Sequence, residues 1–156
     1  MKVEEEIGRL FREKGLTLAV AESCTGGLVG HRITSASGSS AYFLGGIIAY
    51  SNEVKIRELN VDKELLECDG AVSEEVAMQM AAGMKTKFGS DIGLGLTGIA
   101  GPGGGSKEKP VGLVYMALAD GTECTARRCE FNGDRSRVKE SSSQTALEML
   151  MEYLEK

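Results

Sequence analysis

The sequence predicts an α/β domain: a three-layer α/β/α sandwich around a mixed sheet. Two patterns point there. Apolar runs of strand length alternate with stretches of helical apolar spacing, and two of the runs are joined by Asp120-Gly121, a tight-hairpin signal. Alternation implies parallel crossovers and the hairpin implies an antiparallel pair, so the sheet is mixed. A length of 156 residues suits one domain, 1–156, large enough to build a core without staples.

Each element has its own signal. Val3, Ile7, Leu10 and Phe11 share a helical face, so 2–14 reads as an amphipathic helix stopped by Gly15. Residues 17–22 read as a buried strand, after which Thr25-Gly26-Gly27 opens a helix running towards Arg32. Ser35 to Ser40 is a small-residue loop. Residues 42–50 are apolar throughout and read as a second buried strand, and 52–59 and 62–68 as short helices. Ser73 is an N-cap, with Glu74 and Glu75 complementing the dipole of a helix that runs to Phe88 and stops at Gly89. Asp91 to Thr97 is a third strand, with Gly93 and Gly95 where another backbone comes close. A glycine-rich loop, 98–110, leads to strands 111–119 and 122–131. A last helix, 134–156, has Val138, Thr145, Met149, Tyr153 and their neighbours as its apolar stripe.

Composition narrows the function. Lys plus Arg is 18 and Asp plus Glu is 23, giving a net charge of −5 with no basic block. Such a chain is a poor match for nucleic acid or for an anionic membrane surface. The start, Met1-Lys2-Val3-Glu4-Glu5-Glu6, is unlike a signal peptide, and no apolar run approaches a spanning helix. A cytoplasmic protein is expected. The cysteines Cys24, Cys68, Cys124 and Cys129 form no Cys-x-x-Cys pair and His31 is the one histidine, so neither a zinc site nor another metal or cofactor is expected. Whether copies assemble into a homo-oligomer is left open.

Four segments could carry chemistry. In Glu22-Ser23-Cys24-Thr25-Gly26-Gly27, a hydroxyl at a strand end precedes glycines that open a helix. That presents a nucleophile beside N–H groups able to hold an oxyanion, although a plain N-cap also places Ser or Thr there. The run Gly98-Ile99-Ala100-Gly101-Pro102-Gly103-Gly104-Gly105-Ser106 lacks the Gly-Lys-Ser/Thr of a phosphate loop. Gly93-x-Gly95-x-x-Gly98 matches a dinucleotide fingerprint only by letter, because two of its glycines lie inside a strand. What remains is an N–H nest around an anion, or a surface loop. In Tyr50-Ser51-Asn52-Glu53-Val54-Lys55, a lysine could replace histidine as base if burial depresses its pKa, though spacing alone does not select Lys55. His31 is carried away from Ser23 along its helix, which disfavours a Ser-His-Asp triad. Arg135, beside Asp134 at the start of the last helix, could grip a phosphate or sit in a surface ion pair.

Together, Ala21 to Gly27, Gly38-Ser39-Ser40, Tyr50 to Lys55, Gly70-Ala71-Val72-Ser73 and Thr97 to Gly112 resemble the CinA C-terminal domain family, in register over about 17–140. The chain starts just ahead of this part, like the stand-alone form. The resemblance implies a five-stranded mixed sheet and hydrolysis of nicotinamide mononucleotide to nicotinate mononucleotide and ammonia. It implies Ser23 as nucleophile, Lys55 as base and Tyr50 beside them. Candidate oxyanion and substrate-binding residues are Thr25, Gly26 and Gly27, then Ser39 and Asn52, then Thr97, Gly98, Gly101, Gly104 and Gly105, and Arg135. A small nucleotide is the expected partner. A nucleotide-binding module without turnover and an amidase for another substrate are the alternatives.

Overall fold

The computed structural model describes all residues, Met1–Lys156. In chain order the elements are α1 (Val3–Lys14), β1 (Leu18–Glu22), α2 (Leu28–Thr34), β2 (Phe43–Ile48), α3 (Asn52–Leu59), α4 (Lys63–Asp69), α5 (Glu74–Phe88), β3 (Ile92–Gly98), β4 (Leu113–Ala119), β5 (Cys124–Glu130) and α6 (Arg135–Leu154). The five strands form one sheet in the order β2-β1-β3-β4-β5. β2, β1 and β3 are parallel, and β4 and β5 run antiparallel beside them.

Side-chain alternation along the strands divides the core in two. Leu18 and Val20 of β1, Ile92, Leu94 and Leu96 of β3, and Val114, Met116 and Leu118 of β4 face α1, α2 and α6. Ala19 and Ala21 face the layer of α3, α4 and α5, and Ala117 and Ala119 lie beneath Ala77 and Ala81 of α5. The small residues on that face let α5 lie directly on the sheet. A Cβ added at Gly93 would stand 2.1 Å from the Ala81 carbonyl, and one at Gly95 would stand 2.7 Å from that of Ala77. The close backbone approach expected at these glycines is observed.

Three local expectations are corrected. Residues 42–50 are not buried throughout: β2 covers only 43–48, its exposure alternates, and Leu44 and Ile48 are 47% and 53% exposed. β2 is an outer strand with no neighbour on one side, and two of its apolar residues face water. In the hairpin, Asp120 pairs with Glu123 (N···O 3.0 Å), so the two turn residues are Gly121-Thr122, one position later than expected, and β5 starts at Cys124. Asp120 instead organises the turn, its carboxylate accepting from the N–H groups of Thr122 (2.9 Å) and Glu123 (2.8 Å). On α6, Thr145 and Tyr153 are half-buried, while Val138, Ser142, Ala146, Leu150 and Leu154 are buried. Two serines interrupt the apolar pattern because they satisfy themselves on the helix backbone. Ser142 donates to the Val138 carbonyl at 2.7 Å and Ser143 to that of Glu140 at 2.8 Å.

Candidate active site

The carboxyl ends of the three parallel strands open onto one edge of the sheet, where α/β folds place their ligands. β1 ends at Glu22, whose buried carboxylate accepts from the Thr25 hydroxyl (2.6 Å) and from the N–H groups of Val29 (2.9 Å) and Gly30 (2.9 Å). This folds residues 23–27 into a tight turn with Gly26 and Gly27 at φ 62° and 102°, a region glycine enters without strain. The Gly26 N–H closes the turn on the Ser23 carbonyl at 3.0 Å, whereas those of Cys24 and Thr25 meet no acceptor in the fold.

Lys55 arrives from the other side. Ser51 caps α3, its Oγ accepting from the Val54 N–H at 3.2 Å, and this sets Lys55 on the inward face of the helix. Lys55 is 1% exposed. Its Nζ donates to the carbonyls of Ala49 (2.8 Å) and Tyr50 (3.2 Å) and lies 3.2 Å from Ser23 Oγ. No carboxylate touches it, and burial lowers its pKa below the usual lysine range. Cys24, beside the nucleophile, has its thiol pushed up to about 11, by burial first and by the Glu22 charge as well, so it stays protonated.

The dyad borders a cavity of 170 Å³ lined by Ser23, Cys24, Tyr50, Lys55, Ala71, Val72, Thr97, Gly98, Ala100 and Arg135. Thr97 is buried and its hydroxyl donates to the Ala71 carbonyl at 2.8 Å. Arg135 spans the rim: Nη1 donates to the Gly101 carbonyl at 2.7 Å and Nη2 to the Tyr50 hydroxyl at 3.0 Å. Arg135 thus has a carbonyl and a phenol as its partners, and no carboxylate. Gly98 packs tightly against β4, where a Cβ would stand 2.6 Å from Val114 Cγ2.

Ser23, Lys55, Tyr50, Thr97, Gly98 and Arg135 therefore meet, with Gly101 at the rim. Other expected residues lie elsewhere. Thr25, Gly26 and Gly27 line a neighbouring groove behind the turn. Asn52 is exposed at the start of α3, and Gly104 and Gly105 are exposed in the loop, outside the cavity lining. Ser39 precedes β2, at the opposite edge of the sheet, roughly 17–20 Å away by strand length. His31 is exposed on α2, apart from Ser23 as its spacing required. The glycine loop turns a carbonyl, not an N–H nest, towards Arg135. The organising role of Glu22 and the lining by Ala71, Val72 and Ala100 were not derivable from residue chemistry; only their place in the Glu22-Ser23, Gly70 to Ser73 and Thr97 to Gly101 motifs marked them.

The structure contains no helix long and apolar enough to cross a membrane. Comparison with known proteins agrees with the fold. A "CinA-like protein" of Citrifermentans bemidjiense is 53% identical over 153 residues, 98% of this chain and 37% of that protein, so the chain spans little more than a third of such relatives. The competence/damage inducible protein CihA from Agrobacterium tumefaciens superposes with a TM-score of 0.93 at 38% identity, covering 100% of this chain and 98% of that one. A competence-damaged protein (CinA) superfamily protein from Klebsiella pneumoniae gives a TM-score of 0.94 at 32% identity, covering 97% and 95%. The CinA C-terminal domain profile matches residues 1–154, and the chain belongs to the CinA C-terminal domain family.

Proposed function

We propose that the chain is an amidase that hydrolyses the carboxamide of nicotinamide mononucleotide to nicotinate mononucleotide and ammonia, in the cytoplasm and without metal or cofactor. One observation carries this reading: a buried lysine with no carboxylate partner lies 3.2 Å from a serine hydroxyl at a strand-to-helix turn.

The surroundings of Lys55 suit a neutral amine. Its two N–H bonds point to carbonyls that can only accept, so its lone pair is left for the Ser23 hydroxyl. As Ser23 Oγ attacks the carboxamide carbon, its proton passes to Lys55 Nζ. The tetrahedral oxyanion is stabilised by backbone N–H groups of the turn, that of Cys24 being free and beside the cavity. Lys55 then returns the proton to the departing nitrogen, the C–N bond breaks, and ammonia leaves an ester on Ser23. Water attacks that ester, giving one proton to Lys55; Lys55 passes it to Ser23 Oγ as the ester bond breaks, and the acid product ionises to the carboxylate by releasing its proton to solvent.

The test is ammonia release from nicotinamide mononucleotide by the purified protein, beside calorimetric binding. Release in wild type that is lost in Ser23→Ala supports the reading. Binding without release would leave a nucleotide-binding module, and release from other primary amides alone would leave an amidase of different specificity.

A further inference from the structure

The two edges of the sheet are built differently. β5 carries Arg127, Arg128 and Glu130, charges of the kind that keep an edge strand from pairing with another chain. β2, at the other edge, carries none. The uncharged stretch extends beyond the strand: no Asp, Glu, Lys or Arg occurs from Ile33 to Asn52, in a chain that is 26% charged. Leu44, Ile48 and Tyr50 stand exposed along this strip, and elsewhere the fold exposes only Met1 and Val111 as large apolar side chains. The register with β1 slips once, at Leu44, after which Gly45 to Ile48 are regular. No strand takes up the outward N–H and C=O groups of β2.

The two ends of the strip carry opposite charges. Before β2, the Arg12 guanidinium of α1 stands over the turn that leads into the strand. Its Nη1 lies 3.2 Å from where a Cβ on Gly38 would be and 3.0 Å from one on Gly8. Arg12 is exposed and has no carboxylate partner, whereas Arg9 on the same helix is held by Glu6 and Glu13. After β2, Glu53 lies in the first turn of α3 with its side chain 82% exposed, approached only by Arg57 at 3.5 Å. Within one copy β2 separates the two charges, by roughly 17–20 Å of strand. An antiparallel neighbour reverses the order and sets each opposite its complement.

We propose that β2 is the interface between two copies of this chain, paired antiparallel about a two-fold axis beside Gly46 so that their sheets join edge to edge. The contact is isologous, the same strip serving both copies. Main-chain groups of the two strands satisfy each other, Leu44 and Ile48 leave water, and Arg12 meets Glu53 of the partner subunit at both ends. A strip poor in charge and bearing a tyrosine has the composition of an interface core, and added strands are a common mode of recognition. A second copy fits because the strip supplies the complement of its own end charges. Counting outward from Gly46, Ser40 of the partner subunit falls opposite Asn52, next to Tyr50 on the wall of the catalytic cavity. The Gly38-Ser39-Ser40 motif, distant from its own active centre, thereby borders that of the other copy. The pairing does not depend on which reaction that centre performs.

The test is sedimentation equilibrium of the whole chain, comparing wild type with Leu44→Lys, Arg12→Glu, Glu53→Arg and the double variant Arg12→Glu/Glu53→Arg. At about 100 µM, wild type has twice the 16.6 kDa mass of one chain. Leu44→Lys puts an ammonium on the paired edge and returns the protein to the mass of one chain, with its circular dichroism unchanged. Each charge reversal sets like charges face to face at both ends of the strip and weakens association about tenfold or more. Combining the two reversals restores association to within about threefold of wild type, which a folding defect would not do. Wild type at the mass of one chain, a dimer that withstands Leu44→Lys, or a double variant as weak as the single ones overturns the proposal.

Discussion

Lys55 brings a group that prefers to be charged into a position that is 1% exposed, and its lowered pKa has two consequences of opposite sign. For catalysis, the neutral base is populated at lower pH than in a free lysine, so turnover should rise with pH through a midpoint below 10.5. A pH–rate profile flat from neutral to alkaline pH would remove Lys55 as the base. For stability, the unfolded chain keeps this proton up to about 10.5 while the folded chain has already released it. The folded state therefore carries a penalty at low pH, relieved as pH rises between the two pKa values. Lys55→Met should stabilise the protein by roughly 1 kcal/mol at neutral pH, about 2–4 °C in Tm, while abolishing turnover. The gap in Tm should close as pH approaches 10.5, which scans at several pH values would reveal. The dyad acts as a unit, so Ser23→Ala, Lys55→Ala and the double variant should each lose ~10³-fold or more, and to a similar extent. Lys55→Arg should not restore activity, because a guanidinium does not give up its proton. Additive losses in the double variant would mean that the two residues work separately. Ser23 was legible in the sequence because strand, small hydroxyl and glycines are local signals. Lys55 was selected only through the family motif: its chemistry comes from burial and from two carbonyls of the preceding residues, neither of which spacing reveals.

Among the elements, α5 decides how close a layer can come to the sheet. Gly93→Ala would drive a Cβ to 2.1 Å from the Ala81 carbonyl, and since both partners are backbone, neither can step aside. The expected cost is about 1–3 kcal/mol, seen as a lower Tm. Gly103→Ala is the matched control: it meets nothing within 4 Å and should change stability by less than about 0.5 kcal/mol. Equal effects at the two sites would contradict the tight packing of α5. The hairpin carries a pH signature of its own. The Glu123 N–H, and after it that of Thr122, holds the Asp120 carboxyl down at about 2, below its ordinary 3.8. The stability this carboxylate contributes is present above 3.8 and is lost as pH falls towards 2. Asp120→Asn should remove that acid-side loss from the Tm profile. Element types were legible from caps, glycines and periodicity. Misreadings fell where tertiary context overrides pattern: at β2, an outer strand, and on α6, where buried serines bond to their own helix and so escape the apolar count.

For the whole molecule, the site lies between layers, so a ligand bridging the Ser23 turn, α3 and α6 should stabilise the entire fold. A ligand at 100 times its Kd adds about 2.7 kcal/mol when only the folded state binds. Nicotinamide mononucleotide should therefore raise the Tm of Ser23→Ala, which cannot consume it, and nicotinamide riboside should raise it less. Equal shifts would mean that the phosphate makes no contact. The sequence by itself determined the α/β/α layering, the five strands, the Gly93 and Gly95 approach and the nucleophile turn, because each rests on signals within a few residues of one another. Only the tertiary structure decided the strand order, which makes β2 an outer strand, and the meeting of Ser23 with Lys55, 32 residues apart. Only it set Ser39 at the far edge and brought Arg12 over Gly38. The reason is physical: a lowered pKa, an unpaired cation and a cavity are properties of what surrounds a residue, and surroundings are assembled from segments distant in the chain.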